Sequence, residues 1–320
     1  MKIYFGIDQL KKRLNSPALT IGNFDGVHLG HQALFKKVVE LASERGAHSV
    51  ALTFDPHPLQ VLRPDNPPKL ISTFEQKIEQ IERAGIDILI CLPFTMELAA
   101  TTATDFVEHI LVEALRIKDL VVGYDYALGK GREGNIDFLK KKGGELGFRT
   151  HVVPAVVIDG MIVSSTNVRK LVSEGEMRKV AKLLGRYYQI RGIVQKGMQR
   201  GGPVVGFPTA NLRINSEDLC PKPGVYVVQA IYDTHCYGGV VNIGVNPTFG
   251  DQELRAEVHI FDFNRDIYGH PLKVNLIQRI RDEKCFSGPE ELRVQIHKDV
   301  EQAKMILAQE EGLEMACQHS

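Results

Sequence analysis

The chain has 320 residues, 43% of them hydrophobic, which is enough for a sizeable core and favours two domains over one. Lys plus Arg and Asp plus Glu each number 39, so the chain has no bulk attraction for nucleic acid or an anionic membrane. Its five cysteines (Cys91, Cys220, Cys236, Cys285, Cys317) form no C-x-x-C pair, MKIYFGIDQL has no signal-peptide core, and no apolar run approaches about eighteen residues. These features predict a soluble cytoplasmic protein with no nucleic-acid or membrane partner; oligomeric state is left open, with a monomer as the default.

ALTI (18–21) reads as a short buried strand before a glycine turn. Leu34, Val38 and Leu41 recur at helical spacing, which predicts a helix over 30–45 stopped by Gly46. HSVALTF (48–54) reads as a strand, and ISTFEQKIEQIERAG (71–85) as a helix opened by Ser72-Thr73 and followed by Glu75. IDILICLPF (86–94) is a strand, ATDFVEHILVEAL (103–115) a helix and KDLVVGYDY (118–126) a strand. One more strand over 148–158 and two short helical runs over 165–183 complete this half. Continuous apolar strands alternating with amphipathic helices predict a parallel sheet with right-handed crossovers.

After about residue 185 the texture changes. YYQIRGIVQKG, GVYVVQAIYD, CYGGVVNIGV, LRAEVHIFDF and PLKVNLIQRI are strands joined by turns, which predicts an antiparallel barrel or sandwich. A long helix starts just after Pro289, with Leu292, Ile296, Val300 and Met305 able to share an apolar face, and ACQHS at the end is expected to fray. The predicted domains are 1–184 and 185–320.

GNFDGVHLGHQ (22–32) joins a strand to a helix. His28 and His31, three apart, could share a helical face, but a zinc site wants three or four ligands and no further Cys/His cluster joins them. A plain polar helix start is the bland reading. An anion site is the sharper one, because free N–H groups and the helix dipole at such a terminus attract phosphate. Gly22, Gly26 and Gly30 would let a ligand approach the backbone. The G-x-x-x-x-G-K-S/T phosphate cradle is absent.

TFDPHP (53–58), GYDYALGKGREG (123–134), VSSTNVR (163–169), GFPTANL (206–212), PGVYVV (223–228), NIGVNPTFG (242–250), AEVHIFDF (256–263) and RDEKCFSG (281–288) follow in this order along the chain. Together with H-x-G-H, this set resembles the bacterial bifunctional riboflavin kinase/FAD synthetase family over nearly the whole length. Two departures stand out: Leu128 replaces an expected Phe, and Gly202 stands where an arginine is expected, with one extra residue before Gly206.

The resemblance implies a Rossmann-like α/β nucleotidyltransferase domain, then an antiparallel β-barrel kinase domain with a long C-terminal helix. It implies that riboflavin and ATP give FMN and ADP, and that FMN and a second ATP give FAD and pyrophosphate. His28 and His31 would then contact ATP phosphates, and Gly22, Asn23 and Phe24 would hold the α-phosphate region. Ser164, Ser165 and Thr166 would add hydroxyls and N–H groups, and Arg169 a fixed charge. Asp55, His57, Tyr124 and Asp125 would face the flavin; Asp55, His57 and Asp125 could equally shape turns. In the kinase half, Gly201, Gly202, Gly206 and Pro208 would form the phosphate loop, and Thr209 and Asn211 would supply oxygens to Mg2+. Glu257 is the general-base candidate, with Asp262 its competitor. Arg281, Glu283 and Phe286 would close the flavin site or simply form a charged surface run. One inactive half, or flavin binding without turnover, remain the alternatives.

Overall fold

The computed structural model describes residues 1–10, 14–196, 207–248 and 251–310, without the side chains of 245–248 and 251–253. The chain divides into two compact units, Met1–Ser165 and Thr166–Ser320.

The first unit is a six-stranded parallel sheet in the order β1-β4-β3-β2-β5-β6. Its strands are β1 (Lys2–Phe5), β2 (Ala18–Ile21), β3 (Ser49–Asp55), β4 (Ile88–Pro93), β5 (Asp119–Gly123) and β6 (Arg149–Val153). The continuous apolar runs are explained by helices on both faces. Leu19, Ile21, Val50, Leu52, Ile88, Ile90, Leu120 and Val122 share one core with Phe106, Leu111, Leu115 and Leu139. The alternate residues Ala18, Ala51, Leu89 and Val121 share another with Leu34, Phe35, Val38 and Ile81.

Helices α1 (Leu29–Glu44), α2 (Pro58–Leu62), α3 (Phe74–Arg83), α4 (Met96–Ala100), α5 (Ala103–Asp105) and α6 (Ile136–Leu146) connect these strands. The α3 start predicted from Ser72-Thr73 is a Thr73 capping box, but its reciprocal partner is Gln76, not an acid. The single helix predicted over 103–115 is one turn of α-helix followed by a π-helix, Phe106–Ala114. Its wider turn faces Phe106, Val107 and Leu111 inward together. The strand predicted to reach 158 ends at Val153. A two-stranded hairpin of β7 (Val157–Ile158) and β8 (Met161–Ile162) follows.

In the second unit, α7 (Ser165–Glu174, beginning one residue before the division) and α8 (Met177–Leu184) precede an antiparallel sheet. Its order is β10-β13-β12-β11-β14-β9. The strands are β9 (Tyr188–Ile193), β10 (Ala210–Arg213), β11 (Gly224–Tyr232), β12 (His235–Thr248), β13 (Asp251–Ile260) and β14 (Pro271–Arg281). A bridge from Gln195 to Asn211 brings the two sheet edges together, giving a nearly closed barrel. Tyr226, Val228, Val241, Ile243, Ala256 and Val258 are buried on one strand face. On the other, Val225, Val227, Val240 and Ile277 meet Val300, Ala303 and Ile306 of α9 (Pro289–Glu310). Met305, expected on that apolar face, is 62% exposed, because residue 306 takes the inward position. Gly201, Gly202 and Gly206, most of NPTFG, Cys317 and the expected frayed end lie outside the described residues or side chains.

Candidate active sites

In the parallel sheet, the chain leaves β2, crosses through α1 to β3 on one side, and later returns as β5 on the other. Loops at the carboxyl ends of strands flanking such a reversal form a natural ligand crevice. Gly22–His28 follows β2 at this point. Phe24 (φ 48°) and Val27 (φ 37°) adopt left-handed backbone that non-glycine residues rarely take. Burial holds both: each is 1% exposed. A Cβ on Gly22 would come within 2.7 Å of the Phe24 ring, so glycine there makes room for it.

Asp25 is the hub of this loop. Its buried carboxylate accepts the amide hydrogens of Ile71 at 3.0 Å and Ser72 at 3.3 Å, while Ser72 Oγ accepts from the Gly26 amide at 3.2 Å. Ser165 Oγ donates to the Asp25 carbonyl at 3.1 Å. Asp25 thus ties the loop to the start of α3. His28 is the α1 N-cap; its Nδ1 accepts the His31 amide hydrogen at 3.3 Å. The two imidazoles stack with centroids 3.6 Å apart, and His31 meets the Phe24 ring edge-on at 5.3 Å. A Cβ on Gly30 would lie 3.1 Å from the His28 ring and 3.4 Å from the Val163 carbonyl oxygen. Both histidines, Gly22, Phe24 and the start of the second signature (Val163, Ser165) therefore come together, next to Asn23, whose carbonyl accepts from Thr53 Oγ1 at 3.3 Å. Thr166 and Arg169 follow on α7, in the second unit.

On the expected flavin side, Asp55 is exposed at the end of β3. His57 is 6% exposed and caps α2: its Nδ1 accepts the Leu59 amide hydrogen at 3.2 Å, and its own amide donates to Gln60 Oε1 at 2.9 Å. Tyr124 is 46% exposed just beyond β5, and the carbonyl of Asp125 accepts from Arg132 at 2.9 Å. Beneath this rim lies Lys77, buried on α3. Loss of hydration lowers its pKa, against the opposing pull of Asp25, Cys91 and Asp55. Burial pushes the Cys91 thiol up to about 11.

In the barrel, strand register places Asn211 of β10 opposite Glu257 of β13, and Glu257 opposite Asn242 of β12. The three form a polar row on the outer face, because the flanking Ala210, Ala256 and Val258 point into the buried core. Glu257 keeps surface in contact with water, yet its neighbours remove enough hydration to raise its pKa. Arg255 opposes that rise and the charge of Glu283 adds to it. Thr209 precedes β10, and its carbonyl accepts from Asn211 Nδ2 at 3.4 Å, a bond that does not use the Asn211 amide oxygen. Oxygen donors of this kind suit magnesium, which is held by few protein groups. Among the described residues, no cluster of three His, Cys, Asp or Glu could hold a metal ion. The Pro208 carbonyl is bonded to His259 Nδ1 at 2.9 Å, and Phe207 packs edge-on against His259 and His297. Asp262, the competing base, sits in a turn after β13 with φ 53°.

Lys77, Asn242, His259 and Asp299 escaped the sequence reading. The signal for Asn242 was its alternation with buried Val241 and Ile243 in VNI (241–243). The others act through contacts distant in sequence.

Two candidate sites on separate units, one at the switch point of a parallel sheet and one on a barrel face, fit a two-domain transferase. A family model for FAD synthetase matches residues 10–167, and one for riboflavin kinase matches residues 184–307. The bifunctional riboflavin kinase/FMN adenylyltransferase of Listeria monocytogenes is 38% identical over 293 residues, covering 91% of this chain and 92% of that protein. The protein of the same description from Escherichia coli K12 is 36% identical, over 93% and 96%. The chain belongs to the bifunctional riboflavin kinase/FMN adenylyltransferase family. A solved structure described as a macrolide-efflux protein from Streptococcus pneumoniae shares the fold, with TM-score 0.86 and 31% identity over 95% of this chain and 99% of that one. Among the described residues, no helix of this chain is long and apolar enough to cross a membrane.

Proposed function

We propose that the family's two reactions are divided between the two sites, with the domain boundary at 184/185 (1–184 and 185–320). The enzyme phosphorylates riboflavin with ATP to give FMN and ADP, then transfers AMP from a second ATP to FMN, releasing pyrophosphate and FAD. The observation that carries the division is the pairing of a stacked histidine couple at the α1 N-terminus with a separate Asn211–Glu257–Asn242 row on the barrel.

At the first site, two anionic phosphates must approach, so the residues screen charge and orient rather than form a covalent link. His28 and His31 donate to phosphate oxygens as charge develops on the leaving pyrophosphate. Gly22, Asn23 and Phe24 shape the α-phosphate seat, with Ser164, Ser165, Thr166 and Arg169 as further phosphate ligands. Asp55, Tyr124 and Asp125 border the flavin; His57 supports that border by capping α2.

At the second site, Glu257 accepts the proton of riboflavin's primary alcohol as it attacks the γ-phosphorus. Thr209 and Asn211 would hold magnesium, which when bound offsets phosphate charge. Pro208 and the glycines 201, 202 and 206 line the nucleotide phosphates, and Glu283 and Phe286 border the flavin. The protein works as a monomer in the cytoplasm.

Chromatography of products from riboflavin, ATP and Mg2+ tests this. FMN should appear first and FAD afterwards; no FMN from riboflavin would remove the kinase assignment, and no FAD from supplied FMN the adenylyltransferase assignment.

A further inference from the structure

The guanidinium of Arg281 is held within the barrel unit by all three of its nitrogens. Its Nε donates to both carboxylate oxygens of Asp299 at 2.9 and 3.0 Å, and a terminal nitrogen donates to Oδ2 at 2.7 Å. The other terminal nitrogen holds the Asp282 carbonyl at 2.9 Å. Asp299, on α9, is 4% exposed and receives a further bond from Gln295 at 2.9 Å. The Phe286 ring lies 6.0 Å from the guanidinium. This is a planar fork-to-carboxylate pair, the most directional of charged contacts. Arg281 is therefore anchored to the C-terminal helix.

The pair sets the course of the chain beyond β14. Arg281 fixes the Asp282 carbonyl, and Arg279 holds the Asp282 carboxylate at 2.5 Å. The next side chain, Glu283, is thereby laid across Gly244: a Cβ on that glycine would stand 2.0 Å from Glu283 Oε1. Gly244 lies two residues along β12 from Asn242 and opposite Arg255, itself two residues before Glu257. On one strand face, this makes the Glu283 carboxylate a diagonal neighbour of Glu257.

We propose that Asp299 is a positioning residue of the kinase site, which through Arg281 presets the segment 281–286 and places Glu283 on Gly244 beside the base. The inference rests on the reading of this unit as the riboflavin kinase. The preset segment belongs to the flavin side, so its disturbance weakens riboflavin binding more than it slows transfer.

Three variants of the full chain test the proposal: Asp299→Asn, which weakens the fork; Glu283→Gln, which keeps shape without charge; and Gly244→Ala, which displaces Glu283 without touching the fork. Gly244→Ala requires only the flexible end of a side chain to move, so it stays informative if Asp299→Asn fails to fold. Steady-state kinetics of FMN formation should show riboflavin KM rising about tenfold in each, kcat changing less than about twofold and ATP KM unchanged. FAD formation from supplied FMN should be unaffected. Unchanged riboflavin KM in folded Glu283→Gln and Gly244→Ala overturns the proposal, as does a fall in kcat at constant riboflavin KM. A wild-type chain that makes no FMN would instead overturn the kinase reading itself.

Discussion

His28 receives the amide hydrogen of His31 on its Nδ1 at 3.3 Å while the two rings stack 3.6 Å apart. A ring nitrogen that accepts from an amide carries no proton, so the His28 proton resides on Nε2. The cap therefore selects the tautomer with its N–H at the far edge of the ring. The sequence reading treated helix cap and phosphate ligand as rivals; the structure shows the cap, and the proposed phosphate contact would fall to the other ring nitrogen. Asn caps helices as well as any residue and lacks the distal N–H. His28→Asn should hold stability within a few tenths of a kcal/mol, whereas His28→Ala should lose about 1 kcal/mol. Both should slow FAD formation by about 10²–10³, the usual effect of removing one transition-state donor. Thermal melts beside FAD assays check this; full activity in His28→Asn would reduce His28 to a cap.

Gly30 allows the same separation from the other side. Inside α1, Gly→Ala ordinarily stabilises by about 1 kcal/mol. Here the added methyl stands 3.1 Å from the His28 ring and 3.4 Å from the Val163 carbonyl oxygen, so one of them must yield by a few tenths of an ångström. Gly30→Ala should therefore melt no lower than wild type while FAD formation falls, with FMN formation unchanged. A more stable and equally active variant would show that the ring position is not critical.

The contrast between Asp25 and Glu257 shows what a linear sequence makes legible. Glu257 was singled out as a candidate because the resemblance marked AEVHIFDF and an acid there stands between residues of strand pattern, a local signal. Asp25 stood in the most conspicuous motif of the chain, yet its partners Ile71 and Ser72 lie 46 and 47 residues away. No periodicity reports a contact of that range. β1 was missed for a related reason: KIYF is a short edge strand whose burial is only partial, so it lacks the apolar continuity of its neighbours. The π-helix was missed because its apolar residues fit an α-helical face nearly as well. His57 looked like a ligand because DPHP ends a strand, while its role as a cap depends on Gln60.

Lys77 gives a pH signature in the first unit. Its pKa lies below a lysine's ordinary 10.5 because loss of hydration outweighs the attraction of Asp25, Cys91 and Asp55. Between the lowered folded value and 10.5 the unfolded chain binds more protons, so this group adds stability as pH rises through that window and costs stability below it. Lys77→Met removes the buried charge at similar length. It should raise the midpoint of urea unfolding at neutral pH and abolish this rise at alkaline pH. A lowered midpoint at neutral pH would mean that the ammonium compensates Asp25 more than its burial costs.

The strongest test of the division of labour is reciprocal. Glu257→Ala removes the base beside Asn211 and Asn242 without touching the parallel sheet, so FMN formation should fall by about 10²–10⁴ while FAD formation from supplied FMN continues. His31→Ala should do the reverse, because its ring stacks on His28 and meets Phe24 in the first unit. The pH profile sharpens the distinction. A general base works only when ionised, so kinase activity is lost as pH falls through the Glu257 pKa. Lost hydration and the Glu283 charge hold that pKa above a glutamate's ordinary 4.5, against Arg255. The acid limb of the FMN-forming reaction should therefore lie above the range of an ordinary glutamate. Measured with supplied FMN, the FAD-forming reaction should show no such limb from this residue, and a Glu257→Ala variant that lost FAD formation instead would reverse the assignment of the two sites.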